Sequence, residues 1–302
     1  MKAVVLHEYG PPSNLKYEDF PDPRPGPGEV LVAVRAAGVN PIDWKLRSGA
    51  AQKLYPLTFP AILGYDVAGT VRELGEGVKD FAIGDRVFAM TVATYAELCV
   101  VKAEELAKIP EGLEMTTAAA VPLVSITGDQ LIRKGTVVQP GQTILLTGAV
   151  GNVGRCALFA AKEIGAKVIA GVRKSQIEEA KSLGATEAID LSDDAAIARL
   201  GTVDGVADTV GGDIAPKLLA KIKPGGNYGS VLGPPKDAAL HPTVNIRPIM
   251  SKANAATYIH YGEAIRDKKL SMPIDRIVPL SDAAAAQAAA EKGGVGKIIL
   301  TP

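Results

Sequence analysis

The amino-acid sequence predicts an α/β protein, a doubly wound parallel sheet joined to a β-rich domain. Three observations carry this. From Thr143 onward, six short β-rich runs alternate with helical patterns, as in a parallel sheet covered on both faces. Residues 1–101 run instead as strands separated by turns. Between these styles of chain, Thr147–Gly154 reads T-G-A-V-G-N-V-G, with the apolar run Thr143-Ile144-Leu145-Leu146 before it and an alanine-rich helical pattern after it. Strand, glycine turn and helix form the context that a dinucleotide fingerprint requires.

Taken in order, Met1–Leu6 reads as a first strand, and Pro11–Pro27 as loop with proline at every second position from Pro21. Glu29–Ala37 alternates like a half-buried strand. Gly38–Gly49 is a polar segment bounded by glycines. Val67–Leu74, Arg86–Met90 and Tyr95–Val101 are further strands, with a hairpin-type signal at Gly84-Asp85. Met115–Leu131 reads as helical, interrupted at Pro122. The six alternating strands are Thr143–Thr147, Lys167–Val172, Glu187–Asp190, Val203–Asp208, Gly226–Leu232 and Thr243–Ile246. Helices Asn152–Gly165, Ser175–Leu183, Asp193–Leu200 and Asp213–Ile222 fall between them. A long helix over Ile249–Lys269, a strand Ile277–Leu280, an alanine-rich helix Ser281–Lys292 and a last strand Lys297–Leu300 complete the chain. The expected division is a discontinuous β-rich domain, 1–114 with 250–302, around a parallel-sheet domain, 115–249.

The composition is that of an ordinary globular protein, 47% apolar and 22% charged. Its 33 basic and 33 acidic side chains cancel, which argues against charge-driven binding to nucleic acid or a membrane surface. Ala3–Leu6 is too short for a signal-peptide core, and no run approaches the ~18 apolar residues of a membrane span, so a cytoplasmic protein is expected. The two cysteines, Cys99 and Cys156, lie in apolar surroundings without metal or redox spacing and read as free thiols.

The glycine turn supplies the first site candidates. Gly148, Ala149, Val150, Gly151, Asn152 and Val153 are placed to meet a pyrophosphate, because a helix start offers unpaired N–H groups and a positive dipole end. Ala149 stands where the usual fingerprint has its first glycine. Enzymes using NAD carry an acid at the end of the second strand to hold the ribose 2′-OH. Here that end reads Gly171-Val172-Arg173-Lys174-Ser175, with no acid, two cations and a hydroxyl. Gly171, Arg173, Lys174 and Ser175 therefore favour NADPH and its 2′-phosphate. The alternative is a solvated basic loop.

Four stretches together resemble the medium-chain dehydrogenase/reductase superfamily. They are Gly26–Gly38 running into Asn40-Pro41-Ile42-Asp43, then Phe59–Gly69, Gly84-Asp85-Arg86-Val87, and Gly148–Gly154. N-P-I-D-W-K followed by F-P-A-I-L-G-Y-D-V-A-G is most similar to the zinc-independent quinone oxidoreductases and the alkenal or enone reductases. The resemblance implies a Rossmann domain and a GroES-like catalytic domain. It implies that Asn40 replaces a zinc-binding cysteine and that Tyr65-Asp66 replaces a His-Glu pair. No metal is expected, since a catalytic zinc needs about three protein ligands, and His7, His241 and His260 are scattered.

The resemblance also places Asp208 and Thr209 near the adenosine ribose, and Ser230, Val231 and Leu232 with Thr127 near the nicotinamide. Strand-end packing is the alternative for each. It makes Asn40 and Tyr65 the catalytic candidates, able to donate hydrogen bonds to an acceptor carbonyl; satisfied loop residues are the alternative. Tyr95, Trp44 and Lys45 are weaker candidates. The implied reaction is hydride transfer from NADPH to a quinone or an α,β-unsaturated carbonyl, in a homodimer with small-molecule substrates. Two other readings stay open, an enoyl thioester reductase and an NADPH-binding redox sensor or RNA-binding protein. The balanced charge counts against RNA.

Overall fold

The structure, a computed structural model, describes residues 1–302. The chain divides into two compact units, Met1–Leu123 with Ala253–Pro302, and Val124–Lys252. The first boundary lies beyond residue 114 because the short helix after it packs on strands of the first unit.

The first unit begins with β1 (Lys2–Leu6), β2 (Leu15–Asp19), β3 (Glu29–Gly38), α1 (Pro41–Arg47), β4 (Ala61–Ile62), β5 (Asp66–Leu74), β6 (Arg86–Met90), β7 (Leu98–Lys102), β8 (Leu106–Lys108) and α2 (Met115–Ala118). The second unit follows with α3 (Pro122–Gln130, its first two residues still in the first unit), β9 (Thr143–Thr147), α4 (Asn152–Ile164), β10 (Lys167–Val172), α5 (Ile177–Ser182), β11 (Glu187–Asp190), α6 (Asp194–Arg199), β12 (Val203–Asp208), α7 (Ala215–Leu219), β13 (Ile222–Ser230) and β14 (Asn245–Pro248). The chain then returns to the first unit with α8 (Ala255–Arg266), β15 (Ile274–Pro279), α9 (Ala283–Lys292) and β16 (Lys297–Thr301).

In the first unit a large sheet has the order β15-β16-β3-β5-β6-β8, with β7 also paired to β3, beside a small sheet β2-β1-β4. β16 lies antiparallel on β3, with Ile299 opposite Gly38 and Leu300 opposite Ala37. That pairing joins the end of the chain to its beginning. One apolar core runs through Val32, Val67, Val87, Cys99 and Leu300 and takes in Ala283 and Ala286 of α9. The small alanine side chains let that helix sit close against the strands.

The second unit is a six-stranded parallel sheet of order β11-β10-β9-β12-β13-β14. Numbered within the unit, this is 3-2-1-4-5-6, the doubly wound order of dinucleotide-binding sheets. Consecutive residues feed opposite faces, Leu146 and Ala170 one core, Leu145 and Ile169 the other. Burial on both faces is why these strands read as unbroken apolar runs.

Several elements depart from expectation. Gly38–Gly49 contains α1. Pro41 stands at its first position, where no N–H is needed, and the Asp43 carboxylate accepts the Asn40 N–H at 2.7 Å, half of a capping box. The expected helix Ile249–Lys269 is confined to Ala255–Arg266, because the Ile249 N–H still bonds the Ser230 carbonyl at 2.8 Å, the Lys252 carbonyl accepts from Gln130 Nε2 at 2.8 Å, and Asn254 caps the helix by accepting the Thr257 N–H at 2.9 Å. The Gly84-Asp85 turn is no tight hairpin; it ends the longer β5–β6 connection, held by the Asp85 carboxylate on the Ala82 N–H.

Candidate active site

In the second unit the cofactor candidates gather at one edge. Gly148–Val153 follow β9, Gly171–Ser175 span the end of β10 and the turn after it, Asp208 and Thr209 close β12, and Ser230–Leu232 close β13. All lie at the carboxyl ends of parallel strands, around the point where the strand order reverses between β9 and β12. That is where open α/β sheets bind ligands.

The turn after β9 is shaped by two glycines. Gly148 has φ +63, and a Cβ there would meet Thr209 Oγ1 at 2.5 Å. At Gly154 a Cβ would stand 2.0 Å from the Gly148 carbonyl oxygen, so the helix packs on the turn only without a side chain. Ala149 is buried and belongs to the core, which explains why alanine is accepted there. Gly151 is the N-cap of α4, and no side chain caps it. The first N–H groups of a thirteen-residue helix thus remain available to an anion. Arg155, one turn in, is 6% exposed; its Nε donates to the Val150 carbonyl at 2.9 Å and its Nη2 pairs with Glu179 of α5. It clamps the turn and was not singled out in the sequence, because its partners are distant in the chain.

Asp208, expected near the adenosine ribose, closes β12 with its side chain buried. Its carboxylate is buried and accepts from Thr147 Oγ1 at 2.6 Å, from the N–H groups of Val210 and Gly211 at 3.0 Å, and from the Tyr228 hydroxyl at 2.5 Å. It anchors the loop after β12 to the end of β9, and the N–H groups of Thr209, Val210 and Gly211 are all engaged within the protein. Burial and the Asp208 charge together push the Tyr228 hydroxyl well up, so it stays a donor. Thr209 Oγ1 donates to the Thr147 carbonyl at 2.8 Å. Ser230 is buried, its Oγ accepting the Leu232 N–H at 3.0 Å, while Leu232 is exposed. Thr127, on α3, lies within 2.7 Å of Ser251 Oγ in the segment just after β14, and the next residue, Gly128, packs against the start of α4.

At the end of β10, Gly171 hands its carbonyl to the Gly148 N–H at 2.8 Å. Arg173, Lys174 and Ser175 follow and are exposed. An acid does stand nearby. Asp190, at the end of β11 and in register with Val172, was passed over in the sequence. Its carboxylate accepts the Ser192 N–H at 2.9 Å and the Ser192 hydroxyl at 2.7 Å. Those bonds, with the Lys174 charge, hold it below the usual carboxylate range, so it is a fixed anion committed to its own turn.

In the first unit, Asn40 and Asp66 belong to a buried polar network. Asn40 Nδ2 donates to Asp66 Oδ2 at 2.8 Å and to the Gly38 carbonyl at 3.2 Å. Lys297 Nζ, 1% exposed, donates to Asn40 Oδ1 at 2.7 Å and to Asp66 Oδ2 at 2.8 Å. Asp66 Oδ1 accepts the Leu123 N–H at 2.7 Å. Gly38 is small for a reason, since a Cβ there would meet Lys297 Cε at 2.9 Å and Asp66 Oδ2 at 2.8 Å. Asn40 is thus fully engaged through both amide atoms. Lys297 comes from the far end of the sequence, so no local spacing reveals it.

Asp43 is fully buried and accepts from the Tyr95 hydroxyl at 2.7 Å as well as from Asn40 N–H. Burial pushes its carboxyl up to about 7, against the pull of its two donors. Tyr95, a weaker candidate, is an internal donor raised well above the usual range by burial. Trp44 is half-buried, with Lys45 Nζ 5.7 Å from its ring centroid. Tyr65 differs from all of these. Its ring packs against the core, but no protein group takes its hydroxyl, which burial, then the Asp43 and Tyr55 charges, hold in the protonated form.

Comparison with known proteins agrees with this architecture. Residues 26–111 match the alcohol dehydrogenase GroES-like domain, and residues 183–300 match the zinc-binding dehydrogenase family. A quinone oxidoreductase of Pseudomonas aeruginosa is 37% identical over 246 residues, covering 77% of this chain and 74% of the relative. A 2-haloacrylate reductase of a Burkholderia species is 30% identical across 99% of this chain and 98% of the relative. The solved quinone oxidoreductase of Coxiella burnetii superposes with a TM-score of 0.91 at 31% identity, covering 100% of this chain and 99% of that one.

The zinc in the second family description does not fit the donors present. Asn40 offers an amide oxygen already bonded to Lys297, Tyr65 a protonated phenol, and Asp66 a carboxylate neutralised by the same ammonium. A buried cation 2.7–2.8 Å from both oxygens opposes a second one, and zinc prefers thiolate and imidazole. With its GroES-like and Rossmann-type units and these relatives, the chain belongs to the medium-chain dehydrogenase/reductase superfamily, in its quinone oxidoreductase group, and is an oxidoreductase.

Proposed function

We propose that the protein reduces a quinone or an α,β-unsaturated carbonyl with NADPH, without a metal. One observation carries the cofactor choice. The end of β10 offers no acid to a ribose, while Arg173 and Lys174 stand exposed beside Ser175 and the nearby Asp190 is bonded to Ser192. A 2′-phosphate placed there meets two cations and a hydroxyl. The uncapped start of α4 takes the pyrophosphate, and Thr209, with Ser230–Leu232 and Thr127, takes the ribose and nicotinamide portions. When bound, the cofactor supplies hydride.

On the acceptor side, Tyr65 is the donor we assign. Its hydroxyl is free and stays protonated at neutral pH, so it can bond the acceptor oxygen as negative charge develops there. Asn40, held by Lys297 and Asp66, fixes the α1 turn next to it rather than giving up a hydrogen. The relatives' names fit an electron-poor acceptor, a quinone in one case and a haloacrylate in the other. We also read the chain as a cytoplasmic homodimer, the state its family resemblance leads us to expect.

The test is steady-state turnover of a simple quinone, a short alkenal and an acrylate with NADPH and NADH. Turnover with NADPH preferred is expected. Tight NADPH binding with no acceptor consumed would favour a cofactor-sensing role.

A further inference from the structure

A second polar feature of the first unit begins at Asp43, whose charge reaches Tyr65, and runs away from it along α1. On α1, Asp43 and Arg47 are four residues apart and share a face; on α9, Gln287 and Glu291 do the same. The two helices pack together. Arg47 Nη2 donates to Glu291 Oε2 at 2.5 Å, and Glu291 is 39% exposed, the outer end of the set. Gln287 is fully buried beside Tyr95, whose hydroxyl returns to Asp43 at 2.7 Å. Two pairs, Arg47 with Glu291 and Tyr95 with Asp43, thus flank Gln287 in the seam between the helices.

Within that seam most polar capacity has no protein partner. Asp43 Oδ1, Arg47 Nε and Nη1, and both amide atoms of Gln287 are buried and unbonded, as is Thr94 Oγ1 next to Tyr95. Buried polar atoms are nearly always paired with protein or ordered water, and water settles where several of them converge. Both donors and acceptors are present here, as a water chain requires, and a charged group stands at each end.

We propose that the seam between α1 and α9 binds a chain of ordered water that carries protons between solvent at Glu291 and the carboxyl of Asp43. The step is a proton transfer only: a proton enters at Glu291 from solvent, passes along the waters, and settles on Asp43 Oδ1 as the neutral acid; the reverse path releases it. Its carboxyl, pushed up to about 7, exchanges that proton in the physiological range. The titratable and charged groups acting on Asp43 are Tyr95 before β7, Asp66 at the start of β5 with Tyr65 just before it, and Lys297 on β16; Arg47, one turn along its own helix, is paired to Glu291 of α9. Because its charge reaches Tyr65, loading Asp43 eases that hydroxyl's grip on its proton. Asp43 is therefore a positioning residue. This last step rests on the assignment of Tyr65 as acceptor donor; the water chain does not.

A high-resolution crystal structure of the full chain, with carbon-13 titration of the Asp43 carboxyl, tests the proposal without turnover. Ordered waters touching Asp43 Oδ1, Arg47 and Gln287 are expected, with a titration midpoint near neutrality. In Gln287→Leu, or in Gln287→Met should leucine prevent folding, the waters should be lost and the midpoint should rise, because the carboxylate loses hydration. A dry seam in the native protein, or a midpoint that neither substitution moves, overturns the proposal. Absence of quinone and enone turnover in the native protein would instead sink the acceptor reading and leave the seam standing.

Discussion

Lys297 and Asp66 form an ion pair out of reach of solvent, at 1% and 0% side-chain exposure. Such a pair adds little net stability, yet breaking it is expensive, because the survivor is left charged and dry. Lys297→Met should lower the unfolding free energy by about 3–5 kcal/mol. Lys297→Met with Asp66→Asn should recover most of that loss, as a urea titration of both would show. Asp43 gives a pH-dependent counterpart. Its carboxyl moves from 3.8 to about 7 on folding. Folding takes up a proton between those values, so the stability this group contributes is full below 3.8 and is lost as pH rises through about 7. Asp43→Asn should gain on the native protein by about 1.4 kcal/mol per pH unit across that window, then hold level. Equal slopes for the two proteins would contradict the assignment. None of this is visible to a reading of local spacing. Asn40 and Asp66 are recognisable as a pair from motif, but Lys297, which holds both, arrives through the pairing of β16 with β3.

At the level of elements, the glycine turn and the end of β10 separate shape from charge. Gly154→Ala puts a methyl 2.0 Å from a backbone oxygen that cannot move aside. The turn must open, and NADPH binding should weaken by at least roughly tenfold, the equivalent of about 1.4 kcal/mol; a fluorescence titration reads this directly. The parallel sheet was legible because burial on both faces leaves uninterrupted apolar runs between glycine-marked turns. Helix α1 was not, since seven residues with three charged groups show no apolar face. Its signals were Pro41 and the Asn40–Asp43 spacing, which read equally well as a loop. The stretch between β14 and α8 is helix-compatible in sequence, whereas bonds from Ile249 to Ser230 and from Gln130 to Lys252, both distant in the chain, keep it out of the helix.

For the whole molecule, we assign cofactor recognition to Val124–Lys252 and acceptor polarisation to the unit holding Tyr65. Tyr65→Phe should therefore lower kcat on the order of a hundredfold, the usual scale for a positioned proton donor, with the NADPH dissociation constant unchanged. A shared loss in both quantities would undo that division. The domain order and the superfamily were legible because motifs from both units occur in one sequence. The identity of the partners inside each site was not, because Asp208, Asn40 and Asp43 look alike as sequence whether they face a ligand or the protein interior. On this reading Arg173 and its neighbours choose the cofactor. This is tested most directly by the ratio of kcat/KM for NADPH over NADH, in the native protein and in Arg173→Ala, with one quinone acceptor. A ratio above one is expected, falling on the order of ten- to a hundredfold in Arg173→Ala, the loss of one charged hydrogen bond at about 1.5–3 kcal/mol. A native preference for NADH, or a ratio that Arg173→Ala leaves unchanged, would contradict it.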